Sequence, residues 1–296
     1  MGREIRNRRA GDRGLVKIAV TGASGFVGRH VLQALARAED VEVIAASRRP
    51  AGDDWLPEGI RHVVLDLAAT SPDDFSKLGQ PDVVVHLAWH GLPNYQARHH
   101  FEFELHVQYR FLRGLIDAGL PSLLCAGTCF EYGMQSGELH ESLPTNPGNP
   151  YGFAKDALRR ELEFLRESSR FQLTWARLFY MHGEGQAPSS LYSQFVAAGT
   201  RGDKVFRMSG GEQLRDYLHV SQVAQTLATL ACKPTDAGIV NVCAGHPTSV
   251  RALVEGWLAT HSWPMTLALG HYPYPAHEPM AFWGSNAKLV QLLENS

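Results

Sequence analysis

Nowhere in its 296 residues does the chain carry a run of 18 apolar residues, so the sequence offers no membrane-spanning helix. Charge of one sign is lacking as well. The 28 basic and 30 acidic side chains leave a net charge of -2, which supplies no field for a polyanion and argues against nucleic acid as a partner. Cysteine is scarce, and Cys125, Cys129, Cys232 and Cys243 form neither a dense disulfide framework nor paired C-x-x-C zinc spacing. They read as reduced thiols. The first fourteen residues hold five arginines but no apolar segment of the signal-peptide type, which points to a cytoplasmic protein. This basic tail, 1–14, is either a contact for RNA or an anionic surface, or a solvated extension.

What is present is the composition of a packed protein. Hydrophobic residues at 44% and charged residues at 20% exclude disorder and collagen-like architectures. A chain of this size removes roughly 70 to 75% of its extended surface from water on folding.

Short apolar runs over 15–20, 41–46, 63–67, 83–88, 122–126 and 173–178 read as strands, and helical spacing marks 26–38, 101–118 and 149–168. Strands alternating with crossover segments predict an α/β fold, a doubly wound parallel sheet of the Rossmann type over 15–180. A smaller C-terminal α/β substrate domain is expected over 181–296, with elements at 191–198 and 204–208. The helix-then-strand pattern of 220–231 and 239–243 makes the segment 216–245 a return to the sheet.

Between the first strand and first helix stands Gly22-Ala23-Ser24-Gly25-Phe26-Val27-Gly28. One glycine permits a tight turn, one lets backbone N–H groups approach a pyrophosphate, and one allows the helix to pack closely on the strand. The spacing is weak alone, but its place between strand and helix makes it a dinucleotide site. A free ribose 2′-OH is usually held by a carboxylate about twenty residues later. No carboxylate lies between Glu42 and Asp53; Ser47, Arg48 and Arg49 stand there instead, groups suited to a 2′-phosphate. NADP(H) is therefore favoured, with NAD(H) possible. Asp66 and Leu67, ending the third strand, are placed to meet the adenine.

Tyr151 and Lys155, four apart in an expected helix, project from one face, and an ammonium beside a phenol stabilises its phenolate. Thr128, just after an apolar strand, offers a hydroxyl to orient a carbonyl. With the glycine turn, Asp66-Leu67, His86-Leu87-Ala88, Thr128 four residues before Tyr132-Gly133, Arg177-Leu178-Phe179 and Arg215-Asp216-Tyr217, these residues resemble the extended short-chain dehydrogenases/reductases, in their nucleotide-sugar epimerase, dehydratase and reductase branch. The likeness runs from about Val16 to the C-terminus.

The resemblance implies roles. Thr128 bonds the reacting sugar oxygen, Tyr151 is the acid/base, Lys155 grips the nicotinamide ribose, and Leu87 and Ala88 lie beside the cofactor. Arg215 clamps a nucleoside diphosphate, and Phe179 belongs with the substrate contacts. His182 either lines the sugar pocket or packs. Dehydratases of this branch carry an Asp-Glu pair after the threonine; here Cys129 and Phe130 disfavour dehydration. The expected reaction is NADPH-dependent reduction of a nucleotide-linked keto-deoxysugar, with a 4-epimerase as the alternative and a non-catalytic NADP-binding protein as the second alternative. The resemblance also implies a homodimer through helices 101–118 and 149–168, with Phe153 and Leu158 on the outward face.

Fourteen histidines raise the question of a metal. His86, His90, His99 and His100 lack metalloprotease-type ligand spacing, so none is expected. The cluster from Trp263 through Tyr272, Pro273 and Tyr274 to Phe282 and Trp283 either stacks on a base or packs the small domain.

Overall fold

The computed structural model describes residues 15–50, 55–274 and 279–294; the basic tail 1–14 lies outside the described residues. Seven strands form one parallel sheet: β1 (Val16–Thr21), β2 (Val41–Ser47), β3 (Arg61–Val64), β4 (Val83–His86), β5 (Ser122–Thr128), β6 (Gln172–Leu178) and β7 (Gly238–Val242). Their spatial order is β3-β2-β1-β4-β5-β6-β7. The winding direction reverses between β1 and β4, and the crevice beyond the carboxyl ends of those two strands is where an open α/β sheet takes its ligand.

Strands covered on both faces need near-continuous apolar runs rather than alternation. All seven residues of β5 are buried, as are the four of β4. On one face α1 (Phe26–Leu35) and α5 (Val220–Cys232) share a core of Ile18, Val20, Val31, Leu35, Val85, Val223 and Leu227. On the other, α2 (Leu105–Asp117) and α3 (Pro150–Leu165) bury Phe111, Leu112, Leu158 and Leu162 against Ala19, Val84, Leu123 and Trp175. Leu158 is thus a core residue of its own chain, not an outward one. Phe153, on the same helix, is 51% exposed.

After β6 the chain builds a separate cluster from α4 (Leu191–Arg201) and α6 (Val250–His261), where Phe195, Phe206, Met208, Val254 and Trp257 pack together. Between these two helices it returns to the sheet, β7 pairing with β6 in the register Val240↔Ala176.

Three element ends differ from the sequence expectation in ways that shape the site. The third strand stops at Val64 rather than 67, because the Asp66 carboxylate accepts from the Ala68 N–H and opens a 3-10 turn. The fourth stops at His86, where the chain crosses the glycine turn. The helix expected from 101 begins as a π-helical turn, His100–Glu104, before continuing as α2.

Candidate active site

The glycine turn forms one wall of a groove of about 230 Å³ at the carboxyl ends of β1, β2 and β4. Gly22 has φ +70°, and a Cβ there would stand 2.6 Å from the Ala88 nitrogen. A side chain at Gly28 would meet the Gly22 carbonyl oxygen at 2.3 Å, so α1 seats against the turn only because that position is bare. Gly25 begins α1 without a side-chain cap, leaving first-turn N–H groups for an anion. Thr21, Ser24, Gly25, Arg48, Asp66, Leu67, Leu87 and Ala88 stand on the groove wall, together with Trp89, His90 and Glu104 from the loop after β4 and the turn before α2. This narrow, glycine-lined cradle fits the diphosphate and adenosine of a dinucleotide.

Other expected contacts fall differently. Ser47 reaches the groove, but its hydroxyl donates to the Arg49 carbonyl at 2.8 Å and meets His62 Nε2 at 2.9 Å, so it is engaged within the protein. Arg48 is on the groove wall; Arg49 is not. Phe26 and Val27 belong to the first turn of α1, Phe26 with its ring edge-on to His30.

Asn149 caps α3 by accepting from the Gly152 N–H at 2.8 Å, and Pro150 stands at its first position. This start places Tyr151 and Lys155 one turn apart, both buried and both packed on Trp89: the Tyr151 ring edge-on with centroids 5.8 Å apart, the Lys155 ammonium 4.1 Å from the ring centre. Lys155 also donates to the Ala126 carbonyl at 2.8 Å. Burial draws the Lys155 pKa down and holds the Tyr151 phenol well above its ordinary value, Tyr95 and Glu131 adding to the second effect. Beneath them His86, fully buried and bonded to Thr21 Oγ1 at 2.8 Å, is pushed down to about 3 by burial and by Lys155, so it stays neutral.

Thr128 is the last residue of β5 rather than a residue beyond it, and its hydroxyl accepts from the Phe130 N–H at 3.3 Å. Its own N–H donates to Glu131 Oε1 at 2.8 Å. Glu131, which the sequence reading passed over, is fully buried and also receives Trp175 Nε1 at 2.9 Å and Arg177 Nε at 2.7 Å. One carboxylate therefore fixes the end of β5 where Thr128 sits.

A second groove, about 270 Å³, lies between α4 and the segment 207–217; Tyr180, Arg207, Gln213, Arg215, Tyr272 and Pro273 are on its wall. Arg215 is 2% exposed, donates to the Leu214 and Met280 carbonyls at 2.9 and 3.3 Å, and lies 4.7 Å from the Phe282 ring centre. Arg207, which sequence reasoning missed, is the more exposed cation. The aromatic cluster divides: Tyr272 and Pro273 line this groove, whereas Trp263 stacks on His261 at 4.3 Å. A file of rings, Tyr151 to Tyr95 at 5.6 Å, Tyr95 to Phe130 at 5.0 Å and Phe130 to Tyr180 at 6.1 Å, connects the phenol with the second groove.

Three expected substrate contacts, Thr128, Phe179 and His182, line neither groove, and the same is true of Tyr151 and Lys155. Phe179 is buried with Cys129, Tyr132, Leu139, Cys243 and Phe282, and its neighbour Tyr180 faces the groove instead. His182 packs among Tyr192, His219 and Trp257, where burial and His219 hold it at about 4. Cys129 turns its thiol into the same apolar cluster as Phe179.

The model of the NAD dependent epimerase/dehydratase family matches residues 18–243. The dTDP-6-deoxy-L-talose 4-dehydrogenase (NAD(+)) of Aggregatibacter actinomycetemcomitans is 28% identical over 91% of this chain and 100% of its own length. The GDP-6-deoxy-D-mannose reductase of Pseudomonas aeruginosa is 28% identical over 81% and 78%. Among solved structures, MoeE5 in complex with UDP-glucuronic acid and NAD superposes with a TM-score of 0.78 at 27% identity, covering 94% of this chain and 92% of that one. No helix among the described residues is long and apolar enough to cross a membrane.

Proposed function

This chain belongs to the NAD dependent epimerase/dehydratase family, and from that premise we propose that it interconverts a ketone and an alcohol on a nucleotide-linked deoxysugar, working as a reductase. The observation that carries this reading is the make-up of the wall around Tyr151. Its ring neighbours are Trp89, Tyr95 and His100, and the residues after Thr128 are Cys129, sunk in an apolar cluster, and Phe130. Dehydration needs a second acid/base pair at those places; carbonyl reduction needs one proton donor. The relatives named as a 4-dehydrogenase and a reductase support this, since the two names describe opposite directions of one kind of reaction.

The nicotinamide cofactor supplies the hydride when bound. Tyr151 holds the proton that the forming alkoxide takes, and Lys155, fixed by Ala126 and Trp89, stabilises the phenolate left behind. Thr128 steadies the same sugar oxygen through its hydroxyl. Arg207 and Arg215 hold the diphosphate in the second groove, converting binding energy far from the reacting carbon into orientation. Two chains pair through the outer faces of α3 and of α2 with the π-helical turn before it, to which Phe153, Phe164 and Phe103 contribute, all three exposed.

The test is addition of a nucleoside-diphosphate 4-keto-6-deoxysugar to protein and NADPH. Stoichiometric loss of NADPH with formation of the alcohol is expected. An epimer formed without net NADPH loss would replace the reductase with the 4-epimerase reading, and no turnover with any such sugar would favour the non-catalytic one.

Cofactor choice rests on Arg48, on the groove wall where relatives selective for NAD would need a carboxylate. NADP(H) is expected to bind at least tenfold more tightly than NAD(H), about 1.4 kcal/mol, and Arg48→Ala to remove most of that gap. Equal affinities in the unmutated protein, measured by fluorescence titration, would refute it.

A further inference from the structure

Three side chains that no step above uses converge where the loop after β4 meets the π-helical turn. Glu104 is 4% exposed; its Oε1 lies 3.2 Å from His99 Nε2, which in turn lies 3.4 Å from His90 Nδ1. The three atoms fall within 4.8 Å of one another. Hydrogen bonding among them accounts for the group poorly. A single N–H on His99 Nε2 serves Glu104, and the remaining contact to His90 is longer than a good N–H···N bond.

A cation accounts for it better. Tetrahedral zinc with bonds of about 2.0–2.1 Å sets its ligand atoms roughly 3.3 Å apart, which two of the three separations match, while the third, between His90 and Glu104, is within 4.8 Å. The carboxylate is already oriented for such a role: its other oxygen, Oε2, accepts from Gln108 Nε2 at 2.8 Å and from the His90 N–H at 3.1 Å, leaving Oε1 turned toward the imidazoles. The His99 ring is held by stacking on Phe103, with centroids 5.1 Å apart.

The backbone explains why these residues meet. In an α-helix, positions five apart are turned about 140° from each other, at 3.6 residues per turn. The wider π-helical turn over His100–Glu104, with its i→i+5 bonding, brings His99 and Glu104 onto one side. Wide turns of this kind occur often at functional sites.

We propose that His90, His99 and Glu104 form a binding site for zinc or a similar borderline divalent ion, three protein ligands with a fourth position left for a solvent or ligand oxygen. Two imidazoles and one carboxylate select such ions over magnesium or calcium, which take oxygen donors. Because His90 and Glu104 also line the nucleotide groove, and Trp89 between them and the catalytic helix covers Lys155, the ion ties the loop to α2 and braces that wall.

The experiment uses metal-free full-length protein, titrated with Zn²⁺ by calorimetry and with Co²⁺ by visible spectroscopy, without cofactor or substrate. One ion per chain is expected, with the d–d bands of a low-coordinate Co²⁺ site and a rise in Tm on adding zinc. His90→Ala, at an exposed position, and His99→Ala, at a half-buried one, should each weaken binding at least tenfold and abolish the Tm rise. His140→Ala, at an exposed histidine beside Glu138, should leave both unchanged. No uptake under metal excess overturns the proposal, as does uptake that survives in the His90→Ala/His99→Ala double variant.

Discussion

Tyr151→Phe is expected to lower turnover by roughly 10² to 10⁴ while sparing NADPH affinity, because it deletes a proton donor and little else. The ring keeps its contacts with Trp89, Tyr95 and His100, so the pocket retains its shape. The direction of the reaction adds a second signature. Burial holds the phenol protonated well above its ordinary range. Ketone reduction, which needs the protonated form, should be flat across neutral pH and fall only where the phenol ionises. Alcohol oxidation, which needs the phenolate, should rise about tenfold per pH unit below that point. Steady-state rates in both directions, with NADPH binding followed by fluorescence, check this; near-normal turnover in Tyr151→Phe would take the proton away from Tyr151.

Glu131→Ala should cost about 3–5 kcal/mol of stability, the range for removing one partner of a buried ion pair. Arg177 is fully buried, and neither of its terminal nitrogens has a hydrogen-bond partner among the described residues. Its charge is offset by Glu131 at 2.7 Å and by the face of Tyr132 at 4.4 Å. Removing the carboxylate also releases the Trp175 indole N–H and the Thr128 N–H. Urea denaturation measures the loss. In Glu131→Ala/Arg177→Met, which removes the orphaned charge as well, part of it should return. A single-variant cost below about 1 kcal/mol would mean that the pair is not what holds the end of β5.

Features set by short sequence separation were the legible ones. The glycine turn and the i,i+4 pair Tyr151 and Lys155 depend on residues within one turn of each other, and both side chains of that pair do pack on one ring, Trp89. Features set by chain crossing were not. Glu131 acquires its role from Trp175 and Arg177, 44 and 46 residues away. Phe179 and Tyr180 are adjacent, and which of the two faces the groove depends on how β6 ends, a matter of one residue. The His99 and Glu104 pair is invisible to any α-helical spacing rule, because a wider turn brings them together. Arg49 stands beside Arg48 in sequence but off the groove wall, since the turn after β2 directs one of them inward.

The return of the chain to lay β7 beside β6 has a consequence for folding order. A nascent chain that has just made β6 has an open sheet edge there and an α1 whose apolar face still awaits α5, so neither layer of that side is closed. Closure must wait until α4 and the strands after it have been made, and contacts of such long sequence separation slow the search for the native state. The two halves of the molecule are thereby sewn together by topology: the part that carries the second groove is threaded between two pieces of the sheet, and neither half can be cut from the other at a single peptide bond without leaving an unpaired edge.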